Sequence, residues 1–98
     1  MATIIRVDGS QEEVRPANRR RFTIAELKAI VGGPIKAIYF DNGRVMVVNK
    51  KYLGQAFNKK ATDLVFEHAR YALPSAGVFI RGDVILFNKS DLEIARDQ

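Results

Sequence analysis

Short β-branched runs alternate along the chain with two segments of helical spacing, and turn residues mark most junctions. "ATIIRV" at 2–7 reads as a first strand, and it stops at the turn cluster Asp8-Gly9-Ser10. "QEEVRP" reads as an edge strand ended by Pro16, and 17–21 carries no usable period, so it reads as loop. Thr23 followed by Glu26 predicts a capping box, with Ile24, Leu27, Ile30 and Val31 at helical spacing behind it. Phe22 and Leu27 stand in the two places of a hydrophobic staple. Gly32-Gly33 can take positive φ and Pro34 forbids continuation, so the spacing predicts a helix over 23–31.

"IKAIYF" and "RVMVV" flank Asp41-Asn42-Gly43, and Asn-Gly between β-rich runs predicts a hairpin with strands at 35–40 and 44–49. After the basic segment "NKKYLGQAFNKK", Asn58 is placed to cap a second helix, with Ala61, Leu64, Val65, His68, Ala69 and Ala72 on one face. Pro74 and Gly77 close it, "GVFIRGDVILF" at 77–87 reads as one strand bulged at Gly82 or as a short hairpin, and Ser90 with Glu93 opens a last capped turn of helix. This order predicts an α+β fold in which a small, mainly antiparallel sheet packs against two helices. Alternation in the strands puts Ile35, Ala37, Tyr39, Val45, Val47, Ile80 and Ile85 in the core, and the helical stripes add Leu27, Ile30, Leu64 and Val65.

At 98 residues and 47% hydrophobic content, 1–98 reads as a single domain with one modest core. There is no apolar run of about eighteen residues, and "MATIIRVDGS" lacks a basic lead before a long apolar stretch. The expectation is a soluble, cytoplasmic protein with no membrane partner. With no cysteine and a single histidine, His68, neither a disulfide framework nor a metal centre is expected, and no cofactor. The formal net charge is +5, and Arg19, Arg20 and Arg21 supply most of that excess. Basicity of this kind favours anionic partners without choosing among them.

Two stretches carry candidate chemistry. The triplet Arg19-Arg20-Arg21 lies just before a helix N-terminus, whose partial positive charge gains nothing from cations. An anion held between the first-turn N–H groups and the guanidinium forks would account for the triplet; otherwise it is a solvated lead-in. In "NKKYLGQAFNKK", Lys50, Lys51, Lys59 and Lys60 surround Tyr52 and Phe57, with the amides of Asn49 and Asn58 beside them. Aromatic rings can stack on bases and lysines can pair with phosphates, which suits a nucleotide or a single strand. The alternative makes Phe57 core, Asn58 a helix cap and the lysines solvated. No nucleic-acid motif and no phosphate loop is present. His68 reads as a packed or boundary histidine, and "RGD" at 81–83 as a turn into a strand. Asp63, Glu67 and Asp83 form no acid pair with an evident nucleophile, so no catalytic residue is assigned and a non-enzymatic protein is expected.

The run "VGGPIKAIYFDNGRVMVVNKK", then "LGQAFNKKATDL", then "GDVILF", resembles the uncharacterised family called domain of unknown function 3846, found in phages, plasmids and their bacterial hosts. The likeness rests on the Val-Gly-Gly helix stop, the hairpin ending near Asn49, the Asn opening the second helix and the late Gly-Asp before a strand. It implies a small α+β module carried by mobile elements, with no family activity to transfer. The arginine triplet and Pro34 depart from the family's pattern.

Three functions of different classes follow. The first is a non-enzymatic binder of an anionic, nucleotide-like small molecule, of the phage type that sequesters a host defence signal; it requires a closed pocket. The second is a protein-binding inhibitor or adaptor acting on a host enzyme, favoured by an exposed apolar patch near the basic residues. The third is a nucleic-acid-binding module, which requires a continuous basic face. Homo-oligomerisation is left open.

Overall fold

The computed structural model describes residues 2–16, 21–51, 54–69 and 80–91. Five strands form one sheet: β1 (Ala2–Ile5), β2 (Gln11–Val14), β3 (Ile35–Tyr39), β4 (Arg44–Asn49) and β5 (Val84–Asn88). Their order is β2-β1-β5-β4-β3, with every neighbouring pair antiparallel. Two helices, α1 (Ile24–Val31) and α2 (Lys59–His68), complete an α+β fold, and a 3-10 turn (Lys89–Asp91) follows β5. Among the described residues no helix is long and apolar enough to cross a membrane.

Local chemistry explains the boundaries. In the β1–β2 turn, Asp8 Oδ1 accepts from Ser10 N at 2.8 Å and from Ser10 Oγ at 2.6 Å. At α1, the Thr23 side chain accepts from Glu26 N while Glu26 Oε1 accepts from Thr23 N, a complete capping box. Phe22 and Leu27 close the staple and are both buried. Gly32 ends α1 in the left-handed region at φ 83, where a side chain would be strained. In the β3–β4 hairpin, Asn42 Oδ1 accepts from Arg44 N at 3.1 Å.

The helices cover opposite faces of the sheet. Leu27 and Val31 of α1 pack with Ile4, Val45, Val47, Ile85 and Phe87, and the rings of Phe22 and Phe87 lie 5.1 Å apart. Ala61, Val65 and Ala69, along and just beyond α2, pack with Ile5, Ile38, Met46, Val48, Val84 and Leu86 on the other face. Central strands β4 and β5 are therefore buried on both sides, which is why "VMVV" and "VILF" run apolar without interruption.

Several sequence expectations change. Strand alternation selected mainly the α1 face, with Ile80 its one member on the other side, and the α2 face is otherwise built from Ile5, Ile38, Phe40, Met46, Val48, Val84 and Leu86. Tyr39 is 39% exposed and not core, because it ends the outermost strand beside the hairpin turn, with Lys89 Nζ 5.5 Å from its ring centre. Leu64 is half-buried. The last strand begins at Val84 and not upstream of Gly82: Gly82 has φ +81, and Arg81 makes only an isolated bridge with Phe57. A 3-10 turn occupies 89–91 where a capped helix was expected to open, and 77–79 and 92–98 lie outside the described residues, as does Ala72.

Candidate functional site

Three features stand at one end of the sheet, built from described residues on either side of 52–53. At the first, Asn49 is buried and joins α1 to β4: its Nδ2 donates to Val31 O at 3.1 Å and its Oδ1 accepts from Lys51 N at 2.8 Å. A Cβ on Gly33 would stand 3.1 Å from Asn49 Nδ2, so the second glycine of the pair makes room for this amide. Lys50 N donates to Pro34 O at 2.7 Å, which continues the β3–β4 pairing by one step. Lys50 and Lys51 thus follow an asparagine bonded to the last residue of α1, a helix end near which positive charge is electrostatically favoured.

At the second, Asn58 is fully buried and uses its whole amide. Its Oδ1 accepts from Ala61 N at 3.1 Å as the cap of α2, while Nδ2 donates to Ile5 O at 3.0 Å and to Gly82 O at 2.9 Å. Thr62 Oγ1 donates to Asn58 O at 2.8 Å and accepts from Ile80 N at 2.9 Å. Together these bonds join β1, α2 and the approach to β5, and no buried side-chain polar atom among the described residues lacks a partner.

The third is an open cleft of about 290 Å³ lined by Val7, Ile30, Val31, Gly32, Gln55, Ala56, Gly82 and Asp83. Its single charged lining residue is Asp83, whose Oδ1 accepts from Val7 N at 3.0 Å and whose Oδ2 accepts from Arg6 Nη1 at 3.2 Å. Arg6 also donates to Glu12 Oε1 at 2.8 Å, and the Glu12 hydrogen bond is the largest influence raising the guanidinium above its ordinary value, with Asp83 adding to it. The cleft is mostly apolar, lies at the small end of the usual size range for ligand sites, and carries net negative charge on its wall.

Arg19, Arg20 and Tyr52 lie outside the described residues, and Arg21 is half-buried before Phe22. Asn49 and Asn58 spend their amides inside the fold. Lys50 and Lys51 are exposed at the end of β4, and Lys59 and Lys60 are exposed at the start of α2, where Lys59 Nζ meets Asp63 Oδ2 at 2.8 Å. Phe57 is 42% exposed and not core. His68 stacks on Phe40 with ring centres 5.6 Å apart, and its Nδ1 lies 3.2 Å from Asp41 Oδ1, as a boundary histidine should. Among the described residues no group of three or more His, Asp or Glu side chains is arranged to hold a metal ion. Sequence reasoning missed Arg6, Gln55 and Thr62, and it weighed Asp83 only as a possible member of an acid pair and as part of the "RGD" turn. Comparison with family models, with curated proteins and with solved structures finds no match for this chain.

Proposed function

We propose that this chain is a small non-enzymatic binding protein that engages an acidic segment of another protein, as an inhibitor or adaptor does. The observation that carries this reading is the separation of charge from concavity among the described residues. The cleft is open, apolar and edged by the Asp83 carboxylate, whereas the lysines stand exposed outside it, on α1 (Lys28), β3 (Lys36), the end of β4 (Lys50, Lys51), α2 (Lys59, Lys60) and after β5 (Lys89). A phosphate-bearing small molecule gains affinity where cations converge on a site shielded from water. Dispersed lysines beside exposed apolar residues such as Val7, Phe57 and Phe66 suit a broad protein surface instead.

Calorimetric titration of the protein with a glutamate-rich peptide, with adenosine triphosphate and with single-stranded oligothymidine tests the reading. The peptide should bind with an affinity that weakens moderately as salt rises. Saturable binding of the nucleotide without the peptide would overturn it in favour of a small-molecule site. A steep linear fall of log affinity with log salt on the oligonucleotide alone would overturn it in favour of nucleic acid.

A further inference from the structure

Resting on that reading, we infer that the docking surface is the outer edge of β3 at Ile35, Lys36 and Ala37, and that it takes an extended acidic peptide segment of a partner protein as a further strand. No strand among the described residues pairs with the outer side of β3. The direction of its backbone groups follows from the hairpin. Phe40 N donates to Arg44 O at 2.8 Å and Lys50 N to Pro34 O at 2.7 Å, while the register runs from Ile35↔Asn49 to Tyr39↔Val45. Antiparallel ladders bond at alternate pairs, so Lys36 and Ile38 turn their backbone groups toward β4. Ile35 and Ala37 turn theirs outward, where they present N–H and C=O groups to an incoming strand.

The two faces of this edge differ in chemistry. Ile35 and Ala37 are half-buried against the α1 cluster, so a strand laid alongside would extend that apolar face. Lys36 lies on the opposite face with Ile38 and is exposed; Lys50, two residues beyond Val48 and just past the end of β4, continues the same face and is exposed too. Asp41, the acid of this hairpin, sits at its turn and faces His68. The segment that fits therefore alternates: apolar residues opposite Ile35 and Ala37, and an acidic residue opposite Lys36.

A second copy fits this edge less well, although its own outer strand β2 is acidic. Glu12 and Glu13 are adjacent and point to opposite faces, so whichever one met Lys36, the other would fall on the apolar face. Glu12 is also held by Arg6 at 2.8 Å.

The test is fluorescence anisotropy with a labelled peptide alternating valine and glutamate. Ala37→Pro removes an outward N–H and no ladder bond, so circular dichroism should be unchanged. It should weaken binding at least about tenfold, and the same should follow when the peptide is N-methylated at alternate amides, a change that leaves the protein untouched. Lys36→Glu should weaken this peptide and favour one alternating valine and lysine. Peptide binding that is indifferent to both Ala37→Pro and N-methylation would overturn the edge while leaving the acidic-partner reading standing. Absence of peptide binding by the parent protein would overturn both. A concentration-dependent dimer abolished by Ala37→Pro would overturn the foreign peptide in favour of a second copy.

Discussion

Replacing Asn58 by alanine removes three hydrogen bonds from a site with no solvent access. Loss of the cap to Ala61 N costs about 1 kcal/mol. The carbonyls of Ile5 and Gly82 each lose a donor inside the fold, at about 1–3 kcal/mol per group. Together the effect is about 3–7 kcal/mol, a large share of the roughly 5–15 kcal/mol that stabilises a domain of ordinary size. Urea unfolding followed by circular dichroism should show it as a lower midpoint with an unchanged slope. Thermal unfolding should fall by about 12 °C or more for a chain of this length. Asn58→Asp separates the contributions, because it keeps an acceptor for Ala61 N but sets a carboxylate oxygen against two carbonyls. It should be at least as destabilised as the alanine variant near neutral pH, and should recover in part when acid protonates the carboxyl and restores a donor. Either variant within about 1 kcal/mol of the parent would refute the view that this amide joins β1, α2 and the approach to β5.

Leu27→Ala, at a fully buried position, should cost about 2–5 kcal/mol by urea unfolding, and Leu64→Ala, half-buried, should cost clearly less. The Asp8 carboxyl, held below its ordinary value by the Ser10 hydroxyl and then the Ser10 N–H, should titrate low by NMR and move upward in Ser10→Ala. Its depressed value favours the ionised form, so its contribution to stability is present at neutral pH and fades as pH falls through the folded-state value. Replacing Arg19, Arg20 and Arg21 together by alanine should leave the circular dichroism spectrum intact and weaken binding of a glutamate-rich peptide; unchanged affinity across a salt series would make the triplet a solvated lead-in.

Capping and turn chemistry made the elements legible from sequence, because these signals are local. Thr23 with Glu26, Asn58, and Asn42-Gly43 each name an element's end through bonds made within a few residues, and the structure has those bonds. Burial was half legible. Period-two alternation assumes one wet face, and it failed for β4 and β5, where the uninterrupted apolar run was itself the sign of a helix on each side. Site chemistry was least legible. Asn49 and Asn58 resemble ligand-facing amides when read beside lysines, yet their partners Val31, Ile5 and Gly82 are distant in sequence. Arg6 and Asp83 form an ion pair across 77 positions, which no local pattern encodes. The position of β3 at the outside of the sheet depends on strand order, a property of the whole sheet and not of "IKAIY".

Amide chemical-shift mapping of the labelled protein tests the central claim most directly, with the valine–glutamate peptide and adenosine triphosphate titrated in parallel. Saturable shifts at Ile35, Lys36 and Ala37 with the peptide, and none with the nucleotide, are the predicted result. Shifts confined to Val7, Gln55 and Ala56 at the cleft, or a saturable response to the nucleotide alone, would contradict it.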